Sequence, residues 1–101
     1  MAFLPSLFGY YTSSLRKFLD EGAVIIDVRT AQEFNSGHIK GSKNIPMDML
    51  KNRVEELRQF NKPLIVVCHS GRRSGSAASF LEGKGIRAIN GGSWAALNNI
   101  V

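Results

Sequence analysis

Two short apolar runs constrain the fold of this 101-residue chain more than anything else in it. Ala23-Val-Ile-Ile-Asp-Val28 and Leu64-Ile-Val-Val67 are rich in β-branched residues and lack the alternation of a strand with one wet face. Each predicts a strand buried on both faces, as in a parallel sheet. Around them the periodicity becomes helical. Leu15, Phe18 and Leu19 share one face of a segment that opens on the hydroxyls of Thr12-Ser-Ser and stops at Gly22. Leu50, Val54 and Leu57 share one face of a helix expected from about Met49 to Phe60, with Asp48 as its cap. Thr30 followed by Glu33 predicts a capping box on a short helical turn through Phe34, ended by Gly37. Asn44-Ile45 reads as a brief extended piece, Ser74 to Glu82 as a helix and Ile86 to Ile89 as a further strand. Gly91-Gly92 reads as the turn into a last helix from Ser93 to about Asn98. Strands alternating with helices at this spacing imply an α/β domain spanning residues 1–101. Its expected form is a mainly parallel central sheet of about five short strands flanked by helices on both sides.

Composition narrows the function classes. The net charge of +5 comes from basic residues scattered singly or in pairs among acids. With no basic run and no aromatics alternating with lysine or arginine, nucleic acid is not an expected partner, whereas small anions are. The opening Met1-Ala-Phe-Leu-Pro-Ser-Leu-Phe-Gly9 is apolar, but no basic residue precedes it and Pro5 and Ser6 interrupt it. No signal peptide and no membrane partner are expected from it. One cysteine forms no internal disulfide, and a cytoplasmic location is the expectation. One cysteine with two separated histidines makes no metal pattern, no second cysteine stands by for thioredoxin-type exchange, and no cofactor is expected.

That cysteine, Cys68, stands where the second apolar run turns polar, in Cys68-His69-Ser70-Gly71-Arg72-Arg73-Ser74. A strand ends there and a helix begins, so unpaired peptide N–H groups and the positive end of the helix dipole converge on the sulfur. Arg72 and Arg73 add formal charge. A thiol so placed is acidified and nucleophilic. Gly71 suits a loop that must curl with positive φ. Loop length separates two chemistries. A cysteine phosphatase or arsenate reductase places five residues between nucleophile and arginine, and here that position is Ser74, with the arginine one residue early at Arg73. The cradle is then smaller and the guanidinium differently aimed.

With these residues in view, the chain resembles the rhodanese-like sulfurtransferases of the small single-domain type. The likeness lies in Ile26-Asp27-Val28-Arg29 with Glu33-Phe34, in Phe34-Asn-Ser-Gly-His38-Ile39-Lys-Gly41-Ser-Lys-Asn44-Ile45-Pro46, in the loop from Cys68 to Ser74, and in Gly91-Gly92 with Trp94. It implies a rhodanese-like fold and a two-step transfer. The Cys68 thiolate takes the outer sulfur of a donor such as thiosulfate, and a nucleophile (cyanide in the laboratory, a thiol or partner protein in the cell) collects it from the Cys68 persulfide. Arg72 and Arg73 are expected to steady the anionic donor, and Ser70 and Ser74 to hydrogen-bond it or cap the helix. His69 is expected to line the wall or face solvent rather than act as a base, and His38 to bond backbone. Asp27 and Arg29 stand to flank the site from the neighbouring strand end, with Arg29 paired to Glu33 at that corner. Trp94 is expected either in the core or at the mouth of the pocket. A non-enzymatic protein-binding module on the same scaffold, for which neither the cysteine nor the glycine-arginine loop is required, or a sulfur carrier is the alternative.

Overall fold

The computed structural model of the chain describes residues 13–101, so the expectations placed on Thr12 and on the apolar stretch before it lie outside the described residues. Residues 13–20 form α1. There follow β1 (Val24–Asp27), α2 (Ala31–Asn35), β2 (Lys43–Asn44), α3 (Met47–Leu50), α4 (Val54–Gln59), β3 (Leu64–Cys68), α5 (Arg72–Gly83), β4 (Ala88–Ser93) and α6 (Trp94–Asn98). Among the described residues the sheet has four strands rather than about five, in the order β2-β1-β3-β4, with every neighbouring pair parallel.

The apolar run of β3 is buried throughout because the strand has no wet face. Leu64, Val66 and Cys68 pack into one core with Leu50, Val54 and Leu57 from α3 and α4 and with Ala77 and Leu81 from α5. Ile65 and Val67 point the other way, into a second core with Leu15 and Phe18 of α1 and Leu97 of α6. A fully buried Leu or Ile contributes roughly 1.5–3 kcal/mol, so the two half-cores fix the strand and everything at its end. No helix among the described residues is long and apolar enough to cross a membrane.

Three expectations about element bounds are corrected. The single helix from Met49 to Phe60 is two short ones, α3 and α4. The chain is wound more tightly between them, by Asn52 N–H to Met49 O at 3.1 Å and Arg53 N–H to Leu50 O at 3.0 Å, both three residues back. Leu50, Val54 and Leu57 still reach one core, so the periodicity was right although the backbone is interrupted. Pro46, not Asp48, precedes α3, and Asp48 sits in its first turn, where a carboxylate suits the helix dipole. Gly91-Gly92 is not a turn. The fourth strand begins at Ala88, later than expected, and runs through both glycines to Ser93, with Val66 opposite Asn90 and Val67 opposite Gly92. Gly91 is the extra residue of a bulge, and a Cβ there would stand 2.6 Å from Ile65 Cγ2 and 2.9 Å from Val67 Cγ1. Only glycine fits.

The topology says where a ligand goes. From β1 the chain moves to β2 on one side, and from β3 to β4 on the other, so the winding reverses between β1 and β3. In open α/β sheets the crevice beyond the carboxyl ends at such a reversal is the usual site. Asp27 and Cys68 end those two strands.

Candidate active site

Cys68 closes β3, and α5 begins four residues later with Gly71 as its N-cap. The turn between them is tight because Gly71 has φ 97°, a left-handed conformation that a side chain resists. A Cβ on Gly71 would also meet Gly92 Cα at 3.3 Å. The curl brings three donors onto the sulfur: Gly71 N–H at 3.0 Å, the Ser74 hydroxyl at 3.3 Å and Ser74 N–H at 3.4 Å from Sγ. Burial pushes the Cys68 thiol up, but the Ser74 hydroxyl, the Ser74 amide and the Gly71 and Ser70 amides together outweigh it and hold the pKa below the ordinary value of 9.0. Arg72 and Arg73, expected in the loop, lie instead in the first turn of α5. Their N–H groups meet no backbone carbonyl among the described residues and remain as donors at the rim of the same cradle.

The Ser74 hydroxyl has one proton and two acceptors. Its oxygen lies 2.6 Å from Asn90 Oδ1 and 3.3 Å from Sγ. A thiolate draws that proton toward itself, whereas beside a neutral thiol the proton goes to Asn90. Asn90 in turn donates from Nδ2 to Gly71 O at 3.0 Å and accepts Gly92 N–H on Oδ1 at 2.9 Å. It thereby ties the loop, the helix start and the bulge of β4 together. Sequence reading missed Asn90, and also Asn44, whose Nδ2 donates to Asp27 O and Arg29 O at 2.9 Å each. A signal was there: asparagine is disfavoured in strands, yet Asn44 lies in β2 and Asn90 within β4.

The end of β1 is built differently. Arg29 grips Asp27 through Nε at 2.9 Å from Oδ1 and Nη2 at 2.7 Å from Oδ2, with both residues buried. Nη2 also donates to Gly37 O at 2.7 Å, Nη1 donates to Glu33 O at 3.2 Å, and the guanidinium lies 4.6 Å over the Trp94 ring. The expected Arg29–Glu33 ion pair is therefore absent; Arg29 touches only the Glu33 carbonyl. The Glu33 carboxylate goes to Arg73 instead, at 2.9 and 3.1 Å, while its Oε1 also closes the capping box with Thr30. Arg73 and then the Thr30 amide bring the Glu33 pKa down from 4.5 to about 2. Arg29 and Asp27 are both buried, so each is the other's charge partner away from water.

Of the other candidates, His69, Ser70 and Arg72 are exposed, and their side chains make no hydrogen bond or ion pair among the described residues. Their side chains rim the cradle without a hydrogen bond to Sγ. Trp94 packs over Arg29 and against the second core, which places it behind the corner. His38 stacks on Phe34 and bonds Phe34 O through Nδ1 at 2.8 Å. Cys68 itself has 0% accessible surface. Among the described residues no cluster of three or more His, Cys, Asp or Glu is placed to hold a metal ion.

The arrangement can be compared with known proteins. The family model described as a rhodanese-like domain matches residues 12–97. "Uncharacterized protein YqhL" of Bacillus subtilis is 45% identical over 67 residues, which is 66% of this chain and 52% of that protein, so the chain spans about half of this relative's length. "Thiosulfate sulfurtransferase GlpE" of Pseudomonas savastanoi is 38% identical over 76 residues, 72% of this chain and 71% of that one. A solved structure described as "rhodanese with anions from E. coli" superposes with a TM-score of 0.65 at 31% identity, over 72% of this chain and 88% of the other.

Proposed function

This chain belongs to the rhodanese-like domain family, and on that premise we propose that it is a sulfurtransferase working through a Cys68 persulfide. The single observation that carries the reading is the ring of donors on Sγ, supplied by Gly71 and Ser74, with the Arg72 and Arg73 amides left over at the rim. In the first step the Cys68 thiolate attacks the outer sulfur of the donor. With thiosulfate the S–S bond breaks, sulfite leaves with the bonding pair, and Cys68–S–S⁻ remains. Negative charge now sits one atom farther out, where the spare amides can take it up, as an oxyanion hole does for oxygen. In the second step a nucleophile, such as cyanide, a thiol or a partner protein, attacks that outer sulfur and restores the thiolate. A reducing compartment such as the cytoplasm suits a free thiol nucleophile.

Phosphate chemistry fits less well. The guanidinium that would grip a tetrahedral oxyanion is Arg73, and both its outer nitrogens are engaged by Glu33.

The test is intact mass after incubation with thiosulfate, together with thiocyanate formation on adding cyanide. Wild type is expected to gain one sulfur atom's mass and turn over. Cys68→Ser is expected to lose both completely, and no mass gain in wild type with any sulfane donor would sink the reading.

A further inference from the structure

We infer that this site sorts sulfur donors by charge, preferring a hydropersulfide to the thiosulfate dianion, and that Glu33 does the sorting. The inference rests on the sulfurtransferase reading above and names its donor class. Of the two cations at the cradle, Arg73 is held at both outer nitrogens by Glu33, at 2.9 and 3.1 Å. Glu33 is not free to swing away, because its Oε1 also accepts the Thr30 amide at 2.9 Å and the Thr30 hydroxyl at 3.2 Å. The pair is at the rim, with side chains 39% and 37% exposed, so an incoming molecule meets the carboxylate along with the guanidinium. Arg73 immediately precedes Ser74, whose amide and hydroxyl both reach Sγ. A thiolate and a carboxylate against two guanidiniums leave this corner without net charge, and the buried Asp27–Arg29 pair adds none.

Thiosulfate brings two negative charges to a corner whose side chains carry no net positive charge to meet them. A hydropersulfide reacts in its neutral, protonated form: Cys68–S⁻ attacks the outer sulfur of R–S–S–H, the S–S bond breaks, and R–S⁻ leaves with the bonding pair as Cys68–S–S–H forms. Charge and atoms balance with no oxidant or reductant. Only Arg72, exposed and without an ion-pair partner among the described residues, is left to attract an anion. Glu33 thus acts as a built-in competitor for the cation that the dianion needs.

The test uses the full chain, as wild type, Glu33→Gln and Arg73→Gln, with two pairs of probes. Iodoacetate and iodoacetamide alkylate Cys68 by the same displacement and differ in charge, so their rate ratio reads the charge at the sulfur whether or not any sulfur is transferred. Thiosulfate and cysteine hydropersulfide, followed by intact mass, read donor choice. A unit charge removed about 8 Å from a dianion changes its binding about fivefold in a water-like dielectric. The thiosulfate-to-hydropersulfide ratio of loading rates is therefore expected to rise about fivefold in Glu33→Gln, and the iodoacetate-to-iodoacetamide ratio about twofold. Both ratios are expected to fall in Arg73→Gln, and all variants to converge near 0.5 M salt, where the Debye length is only about 4 Å. Unchanged or lower ratios in Glu33→Gln, or differences that survive high salt, overturn the inference. Loading by neither donor overturns the sulfurtransferase reading and the donor claim with it. The alkylation ratio then still decides whether Glu33 governs charge at Cys68.

Discussion

The carboxyl ends of β1 and β3 lie side by side and are finished in opposite ways. At the end of β1, Asp27 and Arg29 satisfy each other, and two further guanidinium N–H groups go to the carbonyls of Gly37 and Glu33. The corner is buried, neutral and saturated. At the end of β3, donors outnumber acceptors: several amides and a hydroxyl gather around one sulfur, and two more amides of α5 stand by. Saturation makes a fixed wall, and a surplus of donors makes a place where negative charge is stabilised. Two strand ends a few ångströms apart thus divide the labour between scaffold and chemistry.

The largest expected effect comes from breaking the saturated side. Asp27→Ala leaves the Arg29 guanidinium buried without its carboxylate, and losing one member of a buried pair costs about 3–5 kcal/mol. Chemical unfolding is the measurement. If Asp27→Ala unfolds no earlier than an exposed change such as Gln32→Ala, the β1 end is not the scaffold described here. Next in size is Asn90→Ala, which strips partners from Gly71 O and Gly92 N–H and from the Ser74 hydroxyl. Each lost hydrogen bond is worth about 1 kcal/mol, so a fall of about 1–3 kcal/mol is expected in the same assay. Asn90→Ala loosens the loop from beneath without removing any donor to the sulfur.

Both halves of the comparison were legible in the sequence to different depths. The β-branched runs announced parallel strands because burial on two faces demands an unbroken apolar string, and Thr30 with Glu33 announced the capping box because its chemistry is local. Cys68, Gly71 and Ser74 could be placed together because the strand-to-helix turn leaves the loop few ways to run. What escaped was the choice of pairing partner, both within a corner and between distant segments. Arg29 has Asp27 two residues away and Glu33 four residues away, and spacing does not choose between them; burial does. Glu33 meets Arg73 across forty residues of chain, a contact set by how α2 and α5 flank the β1–β3 reversal. Gly91-Gly92 has the composition of a turn, and only the side chains of Ile65 and Val67 beneath it reveal a bulge.

A smaller change tests the surplus of donors directly. Ser74→Ala removes the hydroxyl from Sγ while keeping the Ser74 amide and the Gly71 amide in place. A donor favours the thiolate, so its loss raises the thiol's pKa and lowers the thiolate fraction near neutrality. Alkylation of Cys68 by iodoacetamide at pH 7 is expected to slow about fivefold, the weight of one hydrogen bond of about 1 kcal/mol. Ser74→Thr keeps the hydroxyl and is expected to recover most of the rate, whereas a role in packing alone would leave the pH profile of alkylation where it was.

The smallest effects are in pH-dependent stability, and the two strand ends differ there as well. The folded pKa of Glu33 is depressed from 4.5 to about 2, so its contribution is complete above about pH 4.5 and is lost as pH falls through about 2. The Arg73–Glu33 pair is more than one-third exposed, and solvent screening holds that contribution to a few tenths of a kcal/mol. The Cys68 pKa is also depressed, from 9.0, so its contribution is complete only above pH 9 and is lost as pH falls through its folded value. The stability advantage of wild type over Glu33→Gln should therefore shrink between pH 5 and pH 2, and its advantage over Cys68→Ala should grow as pH rises toward 9. Urea unfolding across both ranges checks each sign. A Cys68 advantage that stays flat on the alkaline side would mean that the donors around Sγ favour the thiolate no more than water does, and the contrast between a closed and an open strand end would lose its chemical half.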